Sequence, residues 1–366
     1  MADHFDVIVV GLGVMGSATC LELARRGLAV LGLEQFTPGH ELGSSHGQTR
    51  VIRKAYFEDP RYVPMARRSM ELWRELEADS GSALLYPAGC LNMGPADHPA
   101  ILGVRRSVQE HGLPHEFLSG KEIRSRWPVF TVDKEVAVYE ADAGILVAES
   151  CVASLREIAL RCGAELRFDT KVKSWQSEGK GVRVQTRAES LEADRLILTT
   201  GPWLPVIAPD LSTPLAIERQ VQLWFAPDEP GAYSYEKVPI FIHFDGDRSC
   251  YGIPIVPADP PFDKALKIAR HHGGTVTTAD TVDRRASSED ELDVRGFIRK
   301  TLPSANGPLV ASQVCLYTNT PDSHFVIGPH PRHEHVLVAG GFSGHGFKFA
   351  PLVGEMLAGL VTSHSR

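Results

Sequence analysis

Three glycines, Gly11, Gly13 and Gly16, stand in the order Gly-x-Gly-x-x-Gly, and Glu34 follows eighteen residues after the last of them. That spacing suits a pyrophosphate: Gly11 makes a tight turn, Gly13 lets the backbone come close to the phosphates, and Gly16 lets the next helix pack against its strand. A helix N-terminus at this point turns N–H groups and partial positive charge toward the anion. An acid at position 34 accepts hydrogen bonds from ribose hydroxyls and repels a 2'-phosphate, so NADP is disfavoured. On these residues alone the ligand is FAD or NAD. Further along, Gly43-Ser44-Ser45-His46-Gly47-Gln48-Thr49-Arg50-Val51-Ile52-Arg53-Lys54 ends in three cations, a composition that handles anions. Lys348 is a cation in an unusual setting, since Phe347, Phe349 and Ala350 surround it at an apolar helix start.

The glycine turn needs a strand before it and a helix after it, and both are legible. Phe5 to Val10 is an apolar run rich in β-branched residues, Ser17 to Gly27 has a helical pattern, and Leu28 to Leu33 is a second apolar run ending at Glu34. A further helix is expected over Ala148 to Cys162, with strands over Glu165 to Phe168 and Arg195 to Thr200, the latter closing on Gly201-Pro202-Trp203. Near the end, Val336 to Ala339 reads as a strand, Gly340 to Gly346 as a turn and Phe347 to Val361 as a helix. Stretches 85–144 and 213–311 alternate apolar residues and carry many prolines and glycines, which marks a mostly β region. The expected class is α/β: a Rossmann-type dinucleotide-binding domain from residues 1–84, 145–212 and 312–366, interleaved with a mostly antiparallel β substrate domain from 85–144 and 213–311. Pro254 to Asp263, with four prolines, reads as an exposed loop.

Composition removes several classes of function. With 366 residues, 43% hydrophobic and 23% charged, the chain can bury the cores of two domains. A net charge of -7 without a basic run argues against nucleic acid as a partner. No stretch is long enough to span a membrane, the start lacks the basic region of a signal peptide, and Ser363-His364-Ser365-Arg366 is not a peroxisomal address. The six cysteines (Cys20, Cys90, Cys151, Cys162, Cys250 and Cys315) are scattered with no CxxC pair, which fits a reducing compartment, the cytoplasm. Ser45 sits in a formal GxSxG pattern, but a polar loop precedes it where a hydrolase needs a strand. His333 and His335 fall in a surface turn with no further ligand apparent, so no metal is expected.

Six segments carry a more specific signal: HFDVIVVGLGVMGS, LEQF, GSSHGQTRVIRKAY, TTGPW, VCLYTNTPDSHFVIG and AGGFSGHGFKFAP. In order from His4 to Pro351, they resemble the monomeric sarcosine oxidase group of FAD amine oxidases, which includes N-methyl amino acid and pipecolate oxidases. The resemblance decides for FAD and makes the first domain a Rossmann-type FAD-binding domain. It implies a covalent link from the cofactor to Cys315, which without the motif would read as a buried structural cysteine. It also puts Ser45, His46, Arg50, Val172, Gly201 and Trp203 beside the cofactor, Trp203 having core packing as its other reading.

The implied reaction oxidises the carbon–nitrogen bond of a small secondary amino acid to an imine and reduces O2 to hydrogen peroxide. A dehydrogenase passing electrons to a carrier is the alternative. Arg53 and Lys348 match the positions that hold the substrate carboxylate, a group an arginine fork suits well. The Gly344-His345-Gly346 turn offers backbone N–H groups and a helix dipole to negative charge on the cofactor. Lys267 matches the cation that assists O2, with Lys264 as its rival because of the long loop before it. His271, Tyr317 and Tyr251 match pocket-lining residues, and each could equally be a core residue with a satisfied polar tip. The resemblance further implies a monomer, and it leaves the particular amino acid open.

Overall fold

The structure, a computed structural model, describes residues 4–179 and 181–363. Met1–Asp3 and residues 364–366, on which the targeting expectations partly rest, lie outside the described residues.

The strand His4–Val10 is the centre of an eight-stranded sheet, paired in parallel with Val30–Leu33 on one edge and Ser190–Leu198 on the other. Glu165–Arg167 extends the parallel set beyond Val30–Leu33, and His333–Gly340 pairs in parallel with the end of Ser190–Leu198. Strands covered on both faces read as continuous apolar runs, which is why these segments were legible. Ser174–Glu178, Gly181–Gln185 and Val326–His330 add antiparallel pairs. Helices Val14–Arg25, Ala148–Arg161 and Ala350–Ser363 contribute to one large apolar core with this sheet. The first helix begins at Val14, earlier than the sequence pattern indicates, so Gly16 lies in its first turn. A Cβ at Gly16 would sit 1.8 Å from the Gly11 carbonyl oxygen, and one at Gly354 would sit 2.7 Å from that of Ala18. The last helix is preceded by a 3-10 turn, Phe347–Phe349, where a single helix was expected.

A nine-stranded sheet forms the second layer, antiparallel throughout except where Ile240–Asp245 runs parallel to Cys90–Gly94. Successive side chains along its strands face opposite sides of the sheet. Leu223, Phe225, Phe241, Leu266 and Ile268 pack under helix Ser288–Thr301 through Val294, Phe297 and Ile298. Gln222, Trp224, Lys267, His271, Tyr251, Cys315 and Tyr317 belong to the opposite register. Two boundaries differ from expectation. Strand Leu309–Asn319 pairs along its length with Ala216–Phe225 and so belongs to this sheet, although residues from 312 were placed in the other domain. Leu85–Pro87 instead joins Thr49–Ile52 and Gly144–Val147 in a small three-stranded sheet. Periodicity reports a strand's faces but not its partner, and partners decide the sheet. No helix among the described residues is long and apolar enough to cross a membrane.

Candidate active site

One cavity of about 730 Å³ runs between the two large sheets, from Glu34 and Gly13 past Ser45, Gly201 and Trp203 to Tyr317, His345 and Lys348. Its volume is in the range of sites that enclose a sizeable ligand.

The Rossmann end is made largely of backbone. Gly11, at φ +93°, turns the chain out of the first strand, and its carbonyl meets the Gly16 backbone so closely that no side chain fits there. Glu34 is buried and lines the cavity; its carboxylate accepts the Leu12 N–H at 2.8 Å and the Phe36 N–H at 3.2 Å. Ser45 Oγ accepts the Val14 N–H at 3.0 Å, capping the helix start, and the residues before Ser45 form no strand. Arg156 also reaches this end: its guanidinium donates to the Leu12 carbonyl and, at 3.2 Å, to Ser17 Oγ. Trp203 faces Phe36 with ring centroids 5.3 Å apart and donates to Asp280 at 2.8 Å. A glycine cradle closed to any Cβ, beside a long cavity, fits an extended dinucleotide.

At the other end two buried cations converge. Arg53 and Lys348 are both almost fully enclosed, and both face the Tyr56 ring, at 4.4 and 5.2 Å from its centroid. Lys348 Nζ donates to Tyr56 Oη at 3.0 Å and to the His345 carbonyl at 2.7 Å. Tyr56 Oη lies 3.0 Å from His345 Nδ1, and His345 Nε2 lies 3.0 Å from the Ser323 carbonyl, so that nitrogen carries the proton and Nδ1 accepts. Arg53 donates to the Ala55 carbonyl at 2.7 Å and to both oxygens of Glu58 at 3.0 and 2.9 Å. Burial pushes the Glu58 carboxyl up, but Arg53, with His345 and Lys348, outweighs it and holds the group at about 2. Burial, reinforced by Arg53 and opposed by Glu58, lowers the Lys348 ammonium to about 7.

The nine-stranded sheet supplies the remaining wall. Cys315 Sγ is buried against the Ser44 carbonyl at 3.8 Å and receives an Arg50 N–H at 3.8 Å. Arg50 also donates to the carbonyls of Ser44, His46 and Thr49, which shapes the loop around the sulfur. Burial and the Arg50 charge lower His46 to about 3, against a smaller opposing contribution from the Gln313 side chain. His271 Nδ1 lies 3.1 Å from Tyr317 Oη, and Tyr251 lines the cavity beside them. Gly344, at φ +78°, lies against the Tyr317 ring, and residues 344 to 346 also line the cavity.

Lys267 is buried but does not itself line the cavity; its Nζ donates to the carbonyls of Gly47 at 2.8 Å and Thr49 at 2.9 Å. Burial and Arg50 hold its ammonium well below the usual lysine range. Lys264, the rival assignment, is exposed on a 3-10 turn, Phe262–Lys264. The Val172 side chain packs in the apolar core with Val10 and Leu198 and is not part of the cavity lining. His335 lies against Arg195. His333 instead meets Asp210 together with His330, with Nε2 atoms 3.4 and 3.3 Å from the carboxylate. Arg332 already binds that carboxylate at 3.0 Å, and its N–H donates to His330 Nδ1, leaving the His330 proton on the nitrogen a metal would need. Tyr56, Glu58 and Arg156 were not read from the sequence. For Arg156 a signal existed, because Val152, Ala153, Arg156, Glu157 and Leu160 line the cavity at helical spacing.

A Rossmann turn opening onto a cavity between two sheets defines a flavin- or nicotinamide-dependent oxidoreductase, and the comparisons select the first. Residues 6–360 match the FAD dependent oxidoreductase family. The chain is 42% identical over 364 residues to a monomeric sarcosine oxidase of Streptomyces avermitilis, covering 98% of this chain and 94% of that protein. It is 36% identical to an N-methyl-L-tryptophan oxidase of Yersinia pestis, covering 97% and 94%. Its fold is similar to that of NikD, an amino acid oxidase of nikkomycin biosynthesis (TM-score 0.86, 23% identity, 100% and 95% covered). It is also similar to the L-proline dehydrogenase from P. horikoshii (TM-score 0.84, 23% identity, 100% and 95% covered). The chain belongs to the FAD dependent oxidoreductase family, within its monomeric sarcosine oxidase group, and is an enzyme acting on carbon–nitrogen bonds.

Proposed function

We propose that the enzyme oxidises the carbon–nitrogen bond of a small secondary amino acid, N-methylated or cyclic, to an imine, and that O2 takes the two electrons and two protons to leave as hydrogen peroxide. The observation that carries this reading is the enclosure of Arg53 and Lys348 over one tyrosine ring, in the same cavity as the glycine cradle. Sarcosine and N-methyl-L-tryptophan, named in the relatives, share what such a pair recognises, a carboxylate beside a secondary amine. Bound FAD would supply the two-electron acceptor for that bond and the donor for O2. Arg53 exchanges Glu58 for the substrate carboxylate, and Lys348 takes the second oxygen. His271, Tyr317 and Tyr251 shape the space around the amine, and Tyr56 keeps the two cations in register. Lys267 is the cation for O2 reduction, and Cys315 is the point of covalent attachment. Soluble monomers in the cytoplasm complete the proposal.

The test is a peroxide assay of the purified holoenzyme across sarcosine, N-methylalanine, proline and pipecolate. Peroxide from at least one of them is expected; turnover seen only with an artificial dye would establish the dehydrogenase instead. Acid precipitation should leave the flavin in the pellet of the wild type and release it from Cys315→Ser. Release from both removes the covalent bond from the proposal.

A further inference from the structure

Phe57 lines two spaces at once: the 730 Å³ cavity and a separate outer pocket of about 330 Å³. The outer pocket lies between the start of helix Pro99–Glu110 and the turn joining strands Ile240–Asp245 and Arg248–Ile253. His98 lines it opposite Asp247, Arg248 and Ser249, accepting the Ala100 N–H on Nδ1 and donating from Nε2 to the Gly246 carbonyl at 2.9 Å. Phe244 forms a wall, stacked on His98 and edge-to-face with Phe57 at 5.0 Å.

On its inner side the Phe57 ring covers the carboxylate anchor. The Arg53 guanidinium carbon lies 4.4 Å from the ring centroid, and the His271 ring lies edge-to-face at 6.4 Å. The backbone of this segment is pinned. Ser107 Oγ donates to the Tyr56 carbonyl at 2.5 Å, and the Phe57 carbonyl lies so close to Gly103 that a Cβ there would be 2.5 Å away. Only the side chain can therefore change what separates the two spaces. An amino acid whose carboxylate sits on Arg53 has its α-carbon one bond from that carboxylate, so its side chain starts close to the ring that covers Arg53.

We propose that Phe57 is the specificity-determining residue of this site: its ring is the partition that limits the substrate's α-substituent, and the pocket behind it is a latent subsite for an apolar or aromatic side chain. This rests on the amino acid reading above and narrows it to unsubstituted or compact cyclic substrates. A hydrophobic wall discriminates by about 10- to 200-fold per misfit group, so the effect is measurable.

The experiment compares wild type, Phe57→Ala and Phe57→Leu in two ways. Calorimetry measures the Kd of acetate, propionate and 3-phenylpropionate on the holoenzyme, which needs no turnover. Kinetics then give kcat/KM for sarcosine, N-methylalanine and N-methylphenylalanine. Wild type should bind 3-phenylpropionate more weakly than acetate. Phe57→Ala should shift that ratio, and the N-methylphenylalanine to sarcosine ratio, by about thirtyfold, with Phe57→Leu between. A general loss of structure would depress sarcosine as well and leave both ratios in place. Ratios unchanged in both variants, or a wild type that binds 3-phenylpropionate as tightly as acetate, would overturn the proposal. Size discrimination in binding without turnover of any amine would keep the partition and remove the oxidase reading.

Discussion

One end of the cavity is walled by backbone and the other by side chains. At the Rossmann end Gly11, Gly13 and Gly16 act by having no Cβ, and all three fall within six consecutive residues. At the reaction end Arg53, Tyr56 and Glu58 share the loop after strand Thr49–Ile52, whereas His271 and Tyr317 come from two strands of the nine-stranded sheet and Lys348 from the 3-10 turn Phe347–Phe349. Recognition of a constant cofactor is thus written locally, whereas recognition of the substrate is assembled by the tertiary fold.

If the two ends are this different, damage to one should leave the other intact. The largest effect is expected at the side-chain end. Arg53→Met should lower kcat/KM by about 10²- to 10³-fold, since losing one partner of a buried charge pair costs about 2–5 kcal/mol, while flavin content stays unchanged. Flavin lost in proportion to activity would show that the ends are not separable. Gly16→Ala should act in the opposite way. Its Cβ would meet the Gly11 carbonyl oxygen at 1.8 Å and Thr199 Oγ1 at 2.6 Å. Overpacking of about 1–3 kcal/mol should weaken FAD binding by about five- to a hundredfold, with the KM of the remaining holoenzyme unaltered. Flavin titration in a Cys315→Ser background would read this without a covalent bond to mask it.

The smallest effect sharpens the comparison by pH. Lys348 is lowered to about 7, so in the free enzyme it is charged below that pH and neutral above it. A carboxylate favours the charged form, so the Kd of propionate should be level below about pH 7 and rise toward about tenfold per pH unit above it. Lys348→Met should bind more weakly and lose the slope. A slope that survives in Lys348→Met assigns the titration to another group.

The same contrast explains what could be read from the residues. The first strand, the glycine turn and Glu34 were legible because their chemistry is contiguous and their strands are apolar on both faces. The convergence of Arg53 and Lys348 was expected only by resemblance, because nothing in local sequence brings residue 53 to residue 348. Glu58 gives no local sign that it is the counter-charge of Arg53, and Tyr56 is a shared platform only once both cations have arrived. His333 meets Asp210 and His330, while His335, two residues along the same strand, meets Arg195.

Helix Ala350–Ser363 packs on helix Val14–Arg25, with Gly354 against Ala18, and strand His333–Gly340 completes the sheet begun at His4. During synthesis the opening third of the chain therefore leaves the ribosome with apolar surface whose cover is encoded more than three hundred residues later. At ordinary translation speeds that delay is on the order of half a minute. Over that interval the uncovered face of helix Val14–Arg25 is open to other apolar surfaces, and the arrival of helix Ala350–Ser363 closes it.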